Sequence, residues 1–381
     1  MPHITRSLPA LWLSCVGLAL AACSPTRAVE AWRLLGDLAA GPAPSALKEV
    51  TPEPRRRALA YRIDGRERTG DLYRPGDRAK AALVLVPGAA PEGKDDPRLV
   101  AFAMTLARAR FAVLVPEIEN LRDLNVDPAD ARVIADAVRH LAALSGTGVP
   151  PAVGLIAISY AAGPAVLAAL QEDARDHVRF VMAIGGYYDI EAVVTFFTTG
   201  YFRDGAEISW RHRAPNAYGK WVFVRSNARR LEDARDRVLL SAMAARKLRD
   251  LTAEIGDLAA KLGAEGRAVY ALLVNADPEA VPALIARLPA AVRADMAALD
   301  LKRRDLSKLA ARLILVHGRE DAIIPYSESK ALAGTLPDSR VTLYLVDNLA
   351  HVDLSPGGMI DALRLWQAAY RLLAERDAGS G

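Results

Sequence analysis

The chain is 381 residues long, 52% hydrophobic and 25% charged. That balance excludes intrinsic disorder and allows a core large enough to need no disulfide staples. Its 49 basic residues face 45 acidic ones, and a net charge of +4 without a dense basic patch gives nucleic acid no footing. Cys15 and Cys23 both lie at the extreme N-terminus, which rules out a disulfide framework, a cysteine-ligated zinc or a cysteine nucleophile in the body of the chain.

Arg6 provides a short basic start, and residues 8–20 form an apolar run. The run is shorter than the roughly 20 residues a membrane span needs, but it suits a secretory h-region. Residues 23–57 read as a tether with one short helix, on the three-residue spacing of Val29, Trp32, Leu35 and Leu38. Arg55, Arg56 and Arg57 read as a solvated charge run. A hairpin is expected over 58–63 and 69–73, turned by Asp64-Gly65. Strands at 82–86, 111–115, 153–158 and 178–184 then alternate with helices at 99–107, 127–144 and 160–170. Continuous apolar strands between helices predict a mostly parallel central sheet with helices on both faces, so the class is α/β. The rhythm stops near Asp189. Residues 190–306 read as an inserted helical cap, after which a strand at 312–316, a helix at 327–336, a strand at 341–346 and a helix at 359–375 complete the core. The expected units are therefore 1–22, 23–57, 58–189, 190–306 and 307–381.

Three polar residues fall where expected strands end. Ser159 lies between the strand at 153–158 and the following helix, where a sharp turn exposes its hydroxyl beside helix amides able to stabilise an oxyanion. Asp321 follows the strand at 312–316, in His317-Gly318-Arg319-Glu320-Asp321-Ala322-Ile323-Ile324-Pro325. His351 follows the strand at 341–346. Asp189, at the end of the strand before the insertion, is a rival acid, and Glu320 is a nearer one. Phe196, Phe197 and Tyr201 could line an apolar substrate pocket or simply form the core of the cap. Asn216 and Lys220 are further polar candidates. No metal-ligating or nucleotide-binding spacing occurs, so neither a metal nor a cofactor is expected.

These residues carry two resemblances. Leu20-Ala21-Ala22-Cys23 resembles the lipobox of bacterial lipoproteins, which implies removal of residues 1–22 and lipidation of Cys23. With Ser24 next, it implies a cell-envelope protein anchored in the outer membrane and facing the periplasm. An ordinary signal peptide with a chance cysteine is the plainer alternative. Ala157-Ile158-Ser159-Tyr160-Ala161 resembles the nucleophile elbow of α/β-hydrolases, with alanines at the two usual glycine positions. The segment 317–325 looks like the loop that carries the triad acid in that family, and the order Ser159, Asp321, His351 is the family's order. The resemblance, of the esterase or dienelactone-hydrolase type, implies an α/β-hydrolase fold. It also implies a serine hydrolase that cleaves a small-molecule ester or acyl substrate. His351 would be the base, Asp321 its partner, and the amides of Ala89 and Tyr160 the oxyanion hole. A catalytically silent binding protein of the envelope is the alternative from another class, and a peptidase a third reading.

Overall fold

A computed structural model describes residues 24–144, 152–205, 207–347 and 358–378. Cys23 and His351 lie outside the described residues. The centre is an eight-stranded sheet in the order β1-β2-β4-β3-β5-β6-β9-β10. Its strands are β1 (Arg55–Ile63), β2 (Arg66–Arg74), β3 (Ala81–Val86), β4 (Phe111–Pro116), β5 (Val153–Ile158), β6 (Val178–Ile184), β9 (Arg312–Gly318) and β10 (Val341–Val346). β1 and β2 pair antiparallel, β2 meets β4 antiparallel, and the six remaining strands run parallel. This is the α/β architecture expected, with β7 and β8 reserved for a small hairpin in the insertion.

β3 and β4 are buried along their whole length because helices cover both faces. In β3, Ala82, Val84 and Val86 face one core, while Ala81, Leu83 and Leu85 face the other. Over the first face lie α4 (Asp130–Ala143), α5 (Ala162–Ala169) and α11 (Ser327–Ala333). Over the second lie α1 (Pro25–Ala40), α3 (Pro97–Arg108) and α12 (Met359–Ala378), while α2 (Ala46–Val50) follows α1.

The N-terminal segment departs from a tether. Ser24 caps α1 through its Oγ, Pro25 begins the helix, and α1 docks on α12. Arg27 pairs with Asp377 at 3.0 Å, Trp366 Nε1 donates to the Ala28 carbonyl at 3.0 Å, and Trp32 stacks on Trp366. The buried stripe of α1 is Ala31, Leu34 and Asp37, with Val29 and Trp32 half exposed. Of the stripe read from sequence, Leu35 and Leu38 do pack against the core, while Val29 and Trp32 lie towards its rim. Asp37 is held by the Ser45 and Thr105 hydroxyls at 2.5 and 2.6 Å and by Lys48 at 2.9 Å. Burial opposes its charge, yet these donors hold the carboxyl below its usual range. Arg55, Arg56 and Arg57 open β1 with exposed side chains, and Arg56 pairs with Asp71 at 2.6 Å.

Between β6 and β9 runs the insertion. It contains α6 (Ile190–Thr199), the hairpin β7 (Tyr201–Phe202) and β8 (Arg211–His212), α7 (Ala217–Ala228), α8 (Ala234–Arg249), α9 (Ala264–Val274) and α10 (Ala290–Leu299). These helices share a separate core around Phe197, Trp221, Leu240, Met243, Leu272 and Val292. The hairpin is an addition to the all-helical reading.

Candidate active site

β5 turns into α5 through Ser159, which takes φ 57°. A non-glycine residue in this left-handed region costs roughly 1–3 kcal/mol and persists only where its surroundings impose it. Ala157 and Ala161 are fully buried against the sheet. The closest approaches lie further along. A methyl group on Gly163 would sit 2.0 Å from the Tyr187 hydroxyl, and one on Gly186 would sit 2.5 Å from the Ala162 Cβ. Sequence reasoning looked for the small residues beside the serine and missed this pair, which lets α5 and the segment after β6 pack against each other.

Ser159 opens onto a cavity of about 810 Å³ at the C-terminal edge of the parallel strands. Pro87, Gly88 and Ala89 line it beside the serine, and a methyl group on Gly88 would lie 3.8 Å from Ser159 Cβ. The loop after β3 therefore runs directly against the nucleophile candidate. Ser159, Tyr160 and Ala161 form the first helical turn, where amides have no intrahelical acceptor. Behind the turn, Tyr160 packs on Tyr187 with ring centroids 6.0 Å apart. Burial pushes the Tyr160 phenol well above its ordinary range, so it stays neutral. Nearby, burial pushes the Asp130 carboxyl up to about 7 despite a 2.8 Å hydrogen bond from Asn120.

Asp321 is buried in the loop after β9. Its Oδ1 accepts the Ile323 and Ile324 amides at 2.8 and 3.0 Å, and those two residues line the same cavity as Ser159. His317 Nε2 lies 3.4 Å from Asp321 Oδ2 and 2.9 Å from the Ile324 carbonyl, while Nδ1 meets Ser329 Oγ at 2.7 Å. An Nε2–H donating to the carbonyl leaves Nδ1 to accept from the serine, so this buried ring braces the loop. Glu320 points away to Arg213. Asp189 caps α6 by accepting the Glu191 and Ala192 amides, and its other oxygen meets Lys302 at 2.7 Å.

The β7–β8 hairpin clamps the Asp321 loop from outside. Asp204 accepts the Tyr326 hydroxyl at 2.8 Å and pairs with Lys330, while Arg211 donates to Tyr326 at 3.1 Å. Asn216 N donates to the Ala322 carbonyl at 2.7 Å. Nothing in the local sequence marks Asp204 for this role, because its partners are more than 100 residues away.

The aromatic candidates separate. Phe197 lines the cavity. Phe196 is wholly buried edge-on against Phe202, and Tyr201 packs on His212, so neither is a pocket residue. Asn216 caps α7 and Lys220 donates to the Thr198 carbonyl at 3.3 Å; both serve the cap. Ala89 and Tyr160 both line the cavity. Among the described residues, no group of three metal-ligating side chains converges.

No family model matches the chain, and no curated protein matches its sequence. Solved structures do match in shape. A Legionella pneumophila protein provisionally described as a hydrolase is 14% identical at a TM-score of 0.50, over 87% of this chain and 93% of that one. An esterase from the archaeon Pyrobaculum calidifontis is 12% identical, with 97% and 98% covered and a TM-score of 0.49. The acylaminoacyl peptidase of Pyrococcus horikoshii is 13% identical at 0.48, aligned over 86% of this chain but only 42% of the peptidase. The sheet order, the strand-to-helix turn at Ser159 and the shared architecture make this chain an α/β-hydrolase-fold protein.

Proposed function

We propose that the protein is a serine hydrolase that cleaves an ester or related acyl bond through Ser159, His351 and Asp321. The observation that carries the reading is Ser159 itself, held at φ 57° on the wall of a large cavity. A strained serine at a helix start serves no packing purpose that glycine would not serve better.

In this mechanism Ser159 Oγ attacks the acyl carbonyl while His351 takes its proton. Asp321 orients the imidazole and stabilises its charged form. Its Oδ1 accepts two loop amides, which fixes the carboxylate. β10 pairs in parallel with β9, Val346 opposite Gly318, and the Arg319 amide donates to the Val346 carbonyl at 2.7 Å. The chain thus leaves β10 beside the loop that bears Asp321, and the few residues to His351 span at most about 3.5 Å each. The amides of Tyr160 and Ala89 would receive the developing oxyanion. The leaving alcohol then takes the proton from His351, and water activated by the same base releases the acid from Ser159.

The lipobox-like Leu20-Ala21-Ala22-Cys23 supports a lipid anchor at Cys23, in the bacterial envelope at the periplasmic face of the outer membrane. No described helix is long and apolar enough to cross a membrane.

Labelling of the purified protein with a fluorophosphonate, followed by peptide mapping, tests the chemistry. An adduct on Ser159 is expected. A folded protein without one would favour the binding-protein alternative.

A further inference from the structure

We propose that the cavity has an inner limb for a linear acyl chain, walled by the N-terminal helix, so that residues 24–40 help set substrate chain length. This rests on the hydrolase reading above and names its substrate class.

The main cavity reaches Leu38 and Ala39 of α1 and Leu99 and Phe102 of α3. A second void of about 30 Å³ lies beneath α1, against α12 and the sheet. The two share Leu38, Phe102 and Ile184 as lining. All the remaining walls of the smaller void are apolar too, including Leu34, Met182, Val316 and Leu365. An apolar void of this kind holds no water well, because it offers water no hydrogen-bond partners. A hydrocarbon chain meets no such penalty and gains by leaving water.

The two walls of the limb are tied together. Asp37, the residue before Leu38, accepts a 2.6 Å hydrogen bond from Thr105, one helical turn beyond Phe102 on α3. That buried link sets the gap between the Leu38 and Phe102 side chains. Towards α1 the cavity is lined by Leu38, Ala39, Leu99 and Phe102, all apolar, which suits an ester whose acyl tail points under the helix.

Specificity constants for p-nitrophenyl butyrate, octanoate and dodecanoate, measured on the full chain, test this. Leu38→Trp fills the junction and should lower the dodecanoate-to-butyrate ratio roughly tenfold, the scale a few methylenes command in an apolar pocket. Phe102→Ala opens the junction and should raise that ratio. If Leu38→Trp fails to fold, Leu38→Ala probes the same junction in the direction of Phe102→Ala. Unchanged ratios in the variants that fold would overturn the limb while leaving the hydrolase intact. Absence of fluorophosphonate labelling in the unsubstituted protein would instead overturn the hydrolase reading and the limb with it.

Discussion

The Asp189 carboxylate meets the Lys302 ammonium at 2.7 Å, and so ties the entry of the insertion to the segment by which it returns to the sheet. Beside it the Lys302 amide donates to the Tyr188 carbonyl at 3.1 Å, and Tyr187 donates to the Leu299 carbonyl at 3.2 Å. The insertion thus leaves and rejoins the sheet at one clasp, and Asp189 is committed to that clasp and to capping α6. Asp189→Asn keeps the cap, since asparagine caps as well as aspartate, and loses only a partly exposed ion pair worth about 0–1 kcal/mol. Near-full esterase activity is expected. Asp321→Asn can still accept the Ile323 and Ile324 amides, so the loop survives, but the charge that stabilises the imidazolium is gone. Its kcat should fall steeply, by up to about 10⁴-fold. The opposite ranking in a side-by-side assay would move the acid to Asp189.

Ser159→Gly separates strain from chemistry. Glycine enters the left-handed region freely, so the variant should gain about 1 kcal/mol of stability while losing hydrolysis. Ser159→Ala should lose hydrolysis without that gain, because alanine keeps the Cβ. Thermal melts of the three proteins decide it, and equal melting temperatures for the glycine and alanine variants would mean that the turn stores no strain.

Glu328 is a buried carboxyl that accepts the Tyr188 and Asp189 amides at 3.0 and 2.7 Å through one oxygen. Burial, helped by the charges of Asp189 and Asp300 and opposed by those amides, pushes it up to about 7. A carboxyl raised in the folded state holds its proton longer than the unfolded chain does. Its contribution to stability is full at low pH and declines as pH rises from the ordinary glutamate range to about 7. Glu328→Gln can keep both amide bonds without titrating. It should match the parent near pH 4 and exceed it at pH 8, at about 1.4 kcal/mol per pKa unit. Urea melts at the two pH values check the sign, and a variant equally or less stable at pH 8 contradicts it.

Asp37→Ala strips the acceptor from Ser45, Thr105 and Lys48 and should cost about 2–3 kcal/mol. Asp37→Asn retains an acceptor oxygen and should cost less. Because Trp32 stacks on Trp366 beside this joint, intrinsic fluorescence reports whether α1 loosens before the sheet unfolds. A single coincident transition would mean that α1 is an integral part of the core.

The buried strands could be read from the sequence because each is a short unbroken apolar run, and the expected 82–86, 111–115, 153–158 and 178–184 lie within a residue of β3 to β6. Ser159 and Asp321 could be found because each sits where such a run ends. What escaped depends on distance along the chain. Gly163 is small because Tyr187 fills the space above it, and Asp37 is buried because Thr105, 68 residues away, gives it a hydrogen. The face of α1 was only half found, because Ala31, which points inward, carries too little hydrophobic signal to compete with Trp32, which is half exposed. Phe196 and Phe197 look alike in sequence, and only the packing of α6 decides which one sees the cavity.

An open sheet ends in unpaired amides and carbonyls, a standing invitation to further strands. At one margin of this sheet that invitation is withdrawn by β1, whose residues Arg55, Arg56, Arg57 and Arg62 are all exposed. A second copy laid along the same margin would bring like charges together over much of its length. The arginines that open the strand therefore act as a terminator, making this border a poor template for a further strand.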